Sequence, residues 1–492
     1  MKPRSLVLIT VDCLRADHVG FLGYPRPVTP FLDSVAENSL VFSDAIVAGT
    51  PTYYSFPGIM ASRHPLALGR DVVGIAPLEP TIASVLQEAG HTTAAFVAGN
   101  PYLTAQFGYD QGFDRFQDFL DVTSAGTPES SASATLRSSK LNQRVQAACS
   151  RNKVTAAAYD ELYFWYGQWR SRHETASLDG LRRYPAADVV VDQACSWLRG
   201  LDDAPFFLWL HLMDPHHPYY PPQEALASLS SSPVTPGRAR FLNSFWNRGN
   251  AGVKRLQGYR EEILSLYDGG IYWVDKQISR LVQALQQSRK WNETVFAVTA
   301  DHGEEFLEHA ARYHSTSNLS EQLIHVPLLL RLPELAGPRR LPGTFSLIHL
   351  APTLVRGAGV PVPPDFQGRS CWDEICAGNW AGEPAIVECV EACNNPLQVD
   401  DRMRPRLLAV RDQNYKLVVN FREGADLLYD LRHDPGERSP LLPGVSPRER
   451  ARLLQIAHGH LQKLSQTQNA DLRLRARLRE LRQSERMSSL SN

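Results

Sequence analysis

Two acidic residues stand directly after strand-like apolar runs, at positions suited to hold a cation. Asp12 follows Leu6-Val7-Leu8-Ile9-Thr10-Val11, and Asp301 follows Thr294-Val295-Phe296-Ala297-Val298-Thr299-Ala300. Carboxylates bind hard or borderline divalent ions, and ligands collect at the carboxyl ends of the strands in open α/β sheets. For an isolated Asp such as Asp12 the alternative is a turn residue. Asp301 is followed by His302 and Gly303, so a carboxylate and an imidazole can reach one ion where the chain turns. A structural Asp–His hydrogen bond is the alternative there, and two such strand ends in one sheet favour the metal. Between them lies Thr52-Tyr53-Tyr54-Ser55-Phe56-Pro57. Pro57 suits the first turn of a helix, which places the Thr52 and Ser55 hydroxyls near free N–H groups that attract an anionic ester. Coordinated by a metal, such a hydroxyl becomes a nucleophile; alone, it is a helix cap.

These groups need a scaffold, and the apolar pattern supplies one. Strands are predicted over 6–11, 92–97, 206–212 and 294–299, the last two nearly continuous apolar runs of the kind that parallel strands covered on both faces require. Helices are predicted over 29–38, opened by Thr29 and Pro30, over 80–89, closed by Gly90, and over 263–285. The alternation describes an α/β fold, a sandwich with a large mixed, mostly parallel sheet between helices. Residues 122–139 are rich in Ser, Thr and Ala and predict a loop, followed by a helical segment to about 183. Beyond the turn-rich Pro361-Val362-Pro363-Pro364-Asp365, short strands at 416–420 and 427–431 predict a small C-terminal α+β unit. Ser446-Pro447-Arg448-Glu449 starts a further helix, and 471–486 reads as a solvated amphipathic tail rather than a binding arm. The expected division is 1–360 as catalytic domain with a variable insertion at 121–190, then 361–445 and a helical tail, 446–492.

Composition narrows the function. With 51 Lys+Arg against 52 Asp+Glu, the net charge of −1 disfavours a generic nucleic-acid or membrane-surface binder. No window approaches the roughly 18 apolar residues of a spanning helix. The apolar stretch behind Lys2 and Arg4 is interrupted by Asp12 and lacks a cleavage site, so it is taken as a strand and not a signal peptide. Seven cysteines suit reduced thiols better than a disulfide scaffold, and Cys389 and Cys393 have no second pair at zinc spacing. A cytoplasmic location is expected.

Further motifs are spread from residue 6 to about 440. They are Asp12-x-x-Arg15-x-Asp17, Thr52-x-x-Ser55 running on to Pro65, His211-x-x-Asp214-Pro215-His216-His217-Pro218-Tyr219, and Asp301-His302-Gly303-Glu304 with Glu308-His309 and His314. Val326-Pro327-Leu328, Ala351-Pro352-Thr353-Leu354, Tyr415-Lys416-Leu417 and Leu428-Tyr429-Asp430-Leu431-x-x-Asp434-Pro435 complete the set. In this order they resemble the sulfatase family of the alkaline phosphatase superfamily. The resemblance implies one divalent metal held by Asp12, Asp301, His302 and Thr52, with Mn²⁺, Zn²⁺, Mg²⁺ or Ca²⁺ admissible and a His ligand favouring the first two. It implies that His216 and His314 serve the substrate oxygens and the leaving group, and that Asn100, Ser55 and Arg15 contact substrate. A structural role is the stronger reading for His211, His217 and His309.

The departures from the family pattern matter equally. Main-type sulfatases carry Cys or Ser within Cys-x-Pro-x-Arg and convert it to formylglycine, which Thr52 cannot become; Phe56 replaces the Arg, and His302 stands where many members have Asn. These features resemble the branches that cleave phosphoesters and phosphonates or transfer phosphoglycol groups. The resulting expectation is a metal-dependent hydrolase of sulfuric or phosphoric esters, acting on a small molecule or glycan through a covalent Thr52 intermediate. A phosphoryl-headgroup transferase acting on a glycan or lipid, and a non-catalytic sulfatase-like binding protein, are the alternatives. A two-metal phosphatase needs more separated ligands than Asp214, His216 and His217 offer. A homo-oligomer is left open.

Overall fold

The computed structural model describes residues 3–120, 149, 152–170, 178–335, 337–466, 471–476 and 479. Eight strands form the main sheet: β1 (Ser5–Val11), β2 (Leu40–Ile46), β3 (Thr92–Val97), β4 (Arg115–Gln117), β5 (Phe206–Leu212), β6 (Thr294–Ala300), and, later in the chain, His325–Arg331 and Arg339–Ser346. Two short strands, β7 (Glu305–Phe306) and β8 (Arg312–Tyr313), pair with each other outside it, so the last two are β9 and β10. The order is β10-β2-β9-β6-β1-β5-β3-β4, and β9 alone runs antiparallel to its neighbours. β1, β5 and β6 lie at the centre and are buried on both faces, which is why their sequences show no polar alternation.

Helices cover both faces. Three pack together on one side: α1 (Pro30–Ala36), α4 (Ala187–Arg199) and α5 (Arg260–Gln287). α2 (Thr52–Ala61), α3 (Ile82–Glu88) and α6 (Leu350–Gly357) form the other group. The start of α1 is fixed from outside. Asp275 on α5 accepts the Phe31 and Leu32 N–H groups at 2.9 and 2.8 Å, while Thr29 makes no side-chain cap. In α3 the cap is Thr81, whose hydroxyl accepts from Ser84 N as the Ser84 hydroxyl accepts from Thr81 N, so the helix begins two residues later than Pro80 suggests.

The C-terminal unit is an antiparallel sheet, β11 (Ala385–Val390), β12 (Arg406–Arg411), β13 (Tyr415–Asn420) and β14 (Ala425–Asp430), with α7 (Pro447–Gln466) against it. Its strands alternate as a two-sided sheet must. Val387, Cys389, Leu407 and Ala409 join the main core, whereas Leu408, Val410, Leu417 and Leu428 pack with Leu453 and Ala457 of α7. The start of the expected tail is therefore structural: α7 supplies one layer of the small unit. A buried ionic network ties the unit to the large domain, with Lys416 Nζ on Leu319 O (2.8 Å), Glu321 and Glu437, and Arg411 on Asp44 and Glu321. The predicted loop at 122–139 and most of the 471–486 helix lie outside the described residues; 153–170 is helical as expected. Among the described residues no helix is long and apolar enough to cross a membrane.

Candidate active site

Strand register brings the two acids together. Val11 pairs with Ala300 of β6 and with Leu212 of β5, so Asp12 and Asp301 leave adjacent parallel strands at the same level. The chain turns sharply at each. Cys13 adopts the left-handed conformation (φ 62°), a strain on the order of 1–3 kcal/mol for a residue with a Cβ. It is held there by Tyr267, whose hydroxyl donates to Cys13 O at 2.7 Å, and by Cys13 N donating to Asp301 Oδ1 at 3.4 Å. Gly303 lets the other turn approach the backbone of Gln322: a Cβ there would sit 1.9 Å from Gln322 O.

Thr52 enters from α2, of which it is the first residue. Its hydroxyl donates to Asp301 Oδ2 at 2.9 Å and lies 3.2 Å from His302 Nε2. His302 Nε2 is 3.5 Å from Asp301 Oδ2 and 3.8 Å from Asp12 Oδ1. Because the Gly303 carbonyl can only accept, the 2.9 Å contact from His302 Nδ1 places the proton on Nδ1 and leaves the Nε2 lone pair facing the acids. Asp12, Asp301 and His302 are each fully buried. Burial and then the neighbouring Asp12 push the Asp301 carboxyl up to about 7. Burial also acts to raise Asp12, but His216, the His211 hydrogen bond and His302 outweigh it and hold Asp12 well below the usual carboxylate range. Two adjacent buried carboxylates, a directed imidazole lone pair and a hydroxyl form a donor set that fits one divalent cation, which would relieve their mutual repulsion.

Two side chains fix the Asp12 carboxylate. Asn100 Nδ2 donates to its Oδ2 at 3.1 Å, and His211 Nε2 lies 3.2 Å from the same oxygen. Behind His211, Trp209 Nε1 donates to Thr10 Oγ1 (3.0 Å), which is 3.0 Å from His211 Nδ1. With the Thr10 hydroxyl donating to Nδ1, Nε2–H points at the carboxylate. Phe56 packs edge-on against the His211 ring, with centroids 5.1 Å apart, so an aromatic wall stands where the family pattern has an Arg.

The two expected substrate-side histidines face each other, with ring centroids 5.0 Å apart. His216 donates from Nδ1 to the His217 carbonyl. Burial lowers its pKa, and the opposing pull of Asp12 does not restore it. His314 Nδ1 lies 3.6 Å from Glu304 Oε1 and 3.5 Å from Cys13 Sγ. Burial acts to lower His314 too, but Glu304 outweighs it and the pKa is raised.

Like Asn100, the other two expected substrate contacts, Arg15 and Ser55, hydrogen-bond within the protein. Arg15 makes four hydrogen bonds: Nε and Nη2 to Asp17 (2.8 and 2.7 Å), and Nη1 to Glu304 O (3.0 Å) and Glu308 Oε1 (2.7 Å). The buried guanidinium thus bridges the turn after β1 to the Glu304–Glu308 segment through charge-assisted bonds. Ser55 donates to the Thr52 carbonyl at 3.3 Å, one turn back in its own helix. His217 packs on Tyr313, and His309 bridges Glu305 and Gly436 O, both structural placements. Cys13, Glu304, Thr10 and His211 were not assigned to the site from sequence. Glu304 and His211 are themselves members of the quoted motifs, while Cys13 and Thr10 flank or lie near Asp12, and that adjacency was their one available signal.

The sulfatase family model matches residues 4–360, and a model of the C-terminal part of N-sulphoglucosamine sulphohydrolase matches residues 309–466. Arylsulfatase K of Mus musculus is 27% identical over 282 residues, 50% of this chain and 48% of that protein. The matched region thus spans about half the length of that curated relative. Among solved structures, the phosphonate monoester hydrolase of Agrobacterium radiobacter superposes with a TM-score of 0.64 at 18% identity, covering 94% of this chain and 96% of its own. A protein solved with its substrate D-glucosamine-2-N,6-O-disulfate gives 0.66 at 17%, covering 95% and 99%. With a family model spanning the whole main sheet and both strand ends that carry Asp12 and Asp301, the chain belongs to the sulfatase family.

Proposed function

We propose that this protein is a metal-dependent hydrolase of sulfate, phosphodiester or phosphonate esters that works through a covalent ester on Thr52. The observation that carries the reading is the Thr52 hydroxyl, 2.9 Å from Asp301 and 3.2 Å from the His302 lone pair at the head of a buried helix. The relatives' names support both ester classes, since they include an arylsulfatase and a phosphonate monoester hydrolase. Asp12, Asp301, His302 and Thr52 would hold one divalent ion, which when bound lowers the pKa of the hydroxyl and offsets charge on the ester.

The remaining steps belong to the side chains. Thr52 Oγ1 gives its proton towards Asp301 and attacks the sulfur or phosphorus, and the bond to the departing alcohol breaks. His314 is the proton donor to that alcohol, because Glu304 beside Nδ1 favours the imidazolium and leaves Nε2–H to donate. His216, whose Nδ1–H is held by the His217 carbonyl and whose pKa is lowered, offers Nε2 as the base for the incoming water. Water then displaces Thr52 from the sulfur or phosphorus, and the Thr52 oxygen regains a proton. Thr carries no route to formylglycine, so displacement replaces the elimination available to a formylglycine ester.

The test is a panel of aryl sulfates, phosphate mono- and diesters and phosphonate esters, assayed after chelation and with metals returned. Turnover should depend on added metal and vanish in Asp301→Asn/His302→Asn. Hydrolysis indifferent to that double substitution would sink the reading.

A further inference from the structure

A second group of ligand-type side chains, two buried and one partly buried, lies away from the Asp12 cluster. It consists of His64, Glu388 and His460, each of which offers one donor atom within 4.8 Å of the other two. His64 belongs to the turn that follows α2, two residues after Ser62 ends the helix in the left-handed conformation (φ 50°). Glu388 is on β11 and is fully buried; His460 is on α7 and is 6% exposed. The three side chains come from three layers of the molecule that only the tertiary fold brings together.

Their mutual contacts are long, and one nitrogen is left without a partner. Glu388 Oε1 accepts the Leu66 N–H at 3.1 Å, while Oε2 faces His460 Nε2 at 3.4 Å, a long contact for a hydrogen bond. The His64 and His460 rings meet edge-on with centroids 4.4 Å apart. His64 Nδ1 is buried with no hydrogen-bond partner, a placement that destabilises the fold unless a further ligand satisfies it. Two imidazole nitrogens and one carboxylate oxygen are a donor set used for zinc. One feature opposes it: Arg406 Nη1 approaches Glu388 Oε2 to 3.3 Å and competes for that oxygen.

We propose that His64, Glu388 and His460 form a second divalent-cation site of the zinc class, structural in role and separate from the catalytic cluster. The ion would clamp β11 and α7 of the small unit to the turn that ends α2, the helix whose first residue is Thr52. It would thereby brace the nucleophile helix from its far end, without touching substrate.

The full-length chain, stripped by chelation and dialysed, is titrated with Zn²⁺, and with Co²⁺ as a spectroscopic stand-in. The background is Asp301→Ala/His302→Ala, so that the catalytic cluster is silenced. This background should still bind about one equivalent of Zn²⁺, with a thermal midpoint that rises by several degrees on metal addition. Adding His64→Gln and His460→Gln should abolish both effects, while the same pair in the otherwise unaltered protein should leave about one equivalent, that of the catalytic cluster. Should the His variants not fold, Arg406→Met in the silenced background reads the same site. Removing the competing cation should tighten Zn²⁺ binding about tenfold if an ion sits on Glu388. A silenced background that binds no Zn²⁺, binding undiminished by His64→Gln/His460→Gln, or an affinity that Arg406→Met leaves unchanged or weakens, each overturns the proposal. Because the readouts are metal content and midpoint rather than turnover, its failure leaves the proposed reaction untouched.

Discussion

Replacing Thr52 by Ala separates a nucleophile from a mere ligand. The side chain is 5% exposed and its hydroxyl makes two polar contacts, at 2.9 and 3.2 Å. A hydrogen bond to a charged acceptor contributes about 1.5–3 kcal/mol, but the gap left by one oxygen, lined by Asp301 and His302, can admit a water that restores part of it. The net loss of stability should therefore be about 1 kcal/mol, a shift in midpoint of only a few degrees. Catalysis should suffer far more. Water in that gap lacks the fixed position of a side-chain oxygen at the head of α2 and forms no covalent adduct, so kcat/KM should fall by at least about 10³-fold, about 4 kcal/mol of transition-state stabilisation. Thr52→Ser keeps the oxygen and should stay within about tenfold of the parent. The assay is steady-state hydrolysis of a chromogenic aryl ester, paired with acid quench and mass analysis of the Thr52 peptide for a covalent adduct. If Thr52→Ala keeps more than about a tenth of the parental kcat/KM, or the adduct is found on another residue, covalent catalysis by Thr52 is wrong.

Three further changes probe the surrounding structure. Phe56→Arg places a guanidinium beside Tyr109, Trp209 and His211 at a fully buried position, so chemical denaturation should show a loss above about 3 kcal/mol, together with reduced metal affinity as His211 shifts from Asp12. Lys416→Met strips the buried partner from Glu437 and one partner from Glu321, and should cost about 3–5 kcal/mol in the same experiment while leaving KM unchanged. Asp214 accepts the Ala187 N–H at the start of α4, and burial raises its pKa to about 7. The folded state keeps a proton that the unfolded state has released between about pH 4 and 7, so the Asp214 contribution to stability falls as pH rises through that window. Asp214→Asn can still accept at Oδ1 and should flatten that slope, making the variant the more stable protein in thermal melts at pH 8; parallel stability–pH curves would contradict the assignment.

The parts of this molecule that were legible in sequence are those whose physics is local. β1, β5 and β6 are central strands, and burial on both faces wrote continuous apolar runs that read correctly to within a residue at their ends. The paired acids proposed as cation ligands were legible because Asp12 and Asp301 end two of those runs, and adjacent parallel strands with matched register must then present them side by side. β2, β9 and β10 left no comparable signal. β9 carries Pro327 and runs against both neighbours, while β10 mixes polar residues with buried ones at the sheet edge.

The site's outer layer was harder to read because its partners are long-range. Arg15 has the charge expected of an anion contact, yet whether a guanidinium faces substrate depends on acceptors nearly 300 residues away, and Glu304 O and Glu308 take it. His211 lies within a fully buried strand, and one such histidine is most simply a satisfied core residue. Its link to Asp12 exists only because β5 pairs with β1, with Thr10 opposite His211. That pairing bears on the missing Arg at position 56. An arginine there would set a charge on the helix that carries Thr52, whereas Phe56 packs edge-on against His211 and so stiffens the imidazole that contacts Asp12. Under the proposed mechanism a Thr nucleophile would gain nothing from bracing a formylglycine hydrate. It would need a rigidly held Asp12, and an apolar wall behind His211 supplies that rigidity through packing rather than charge.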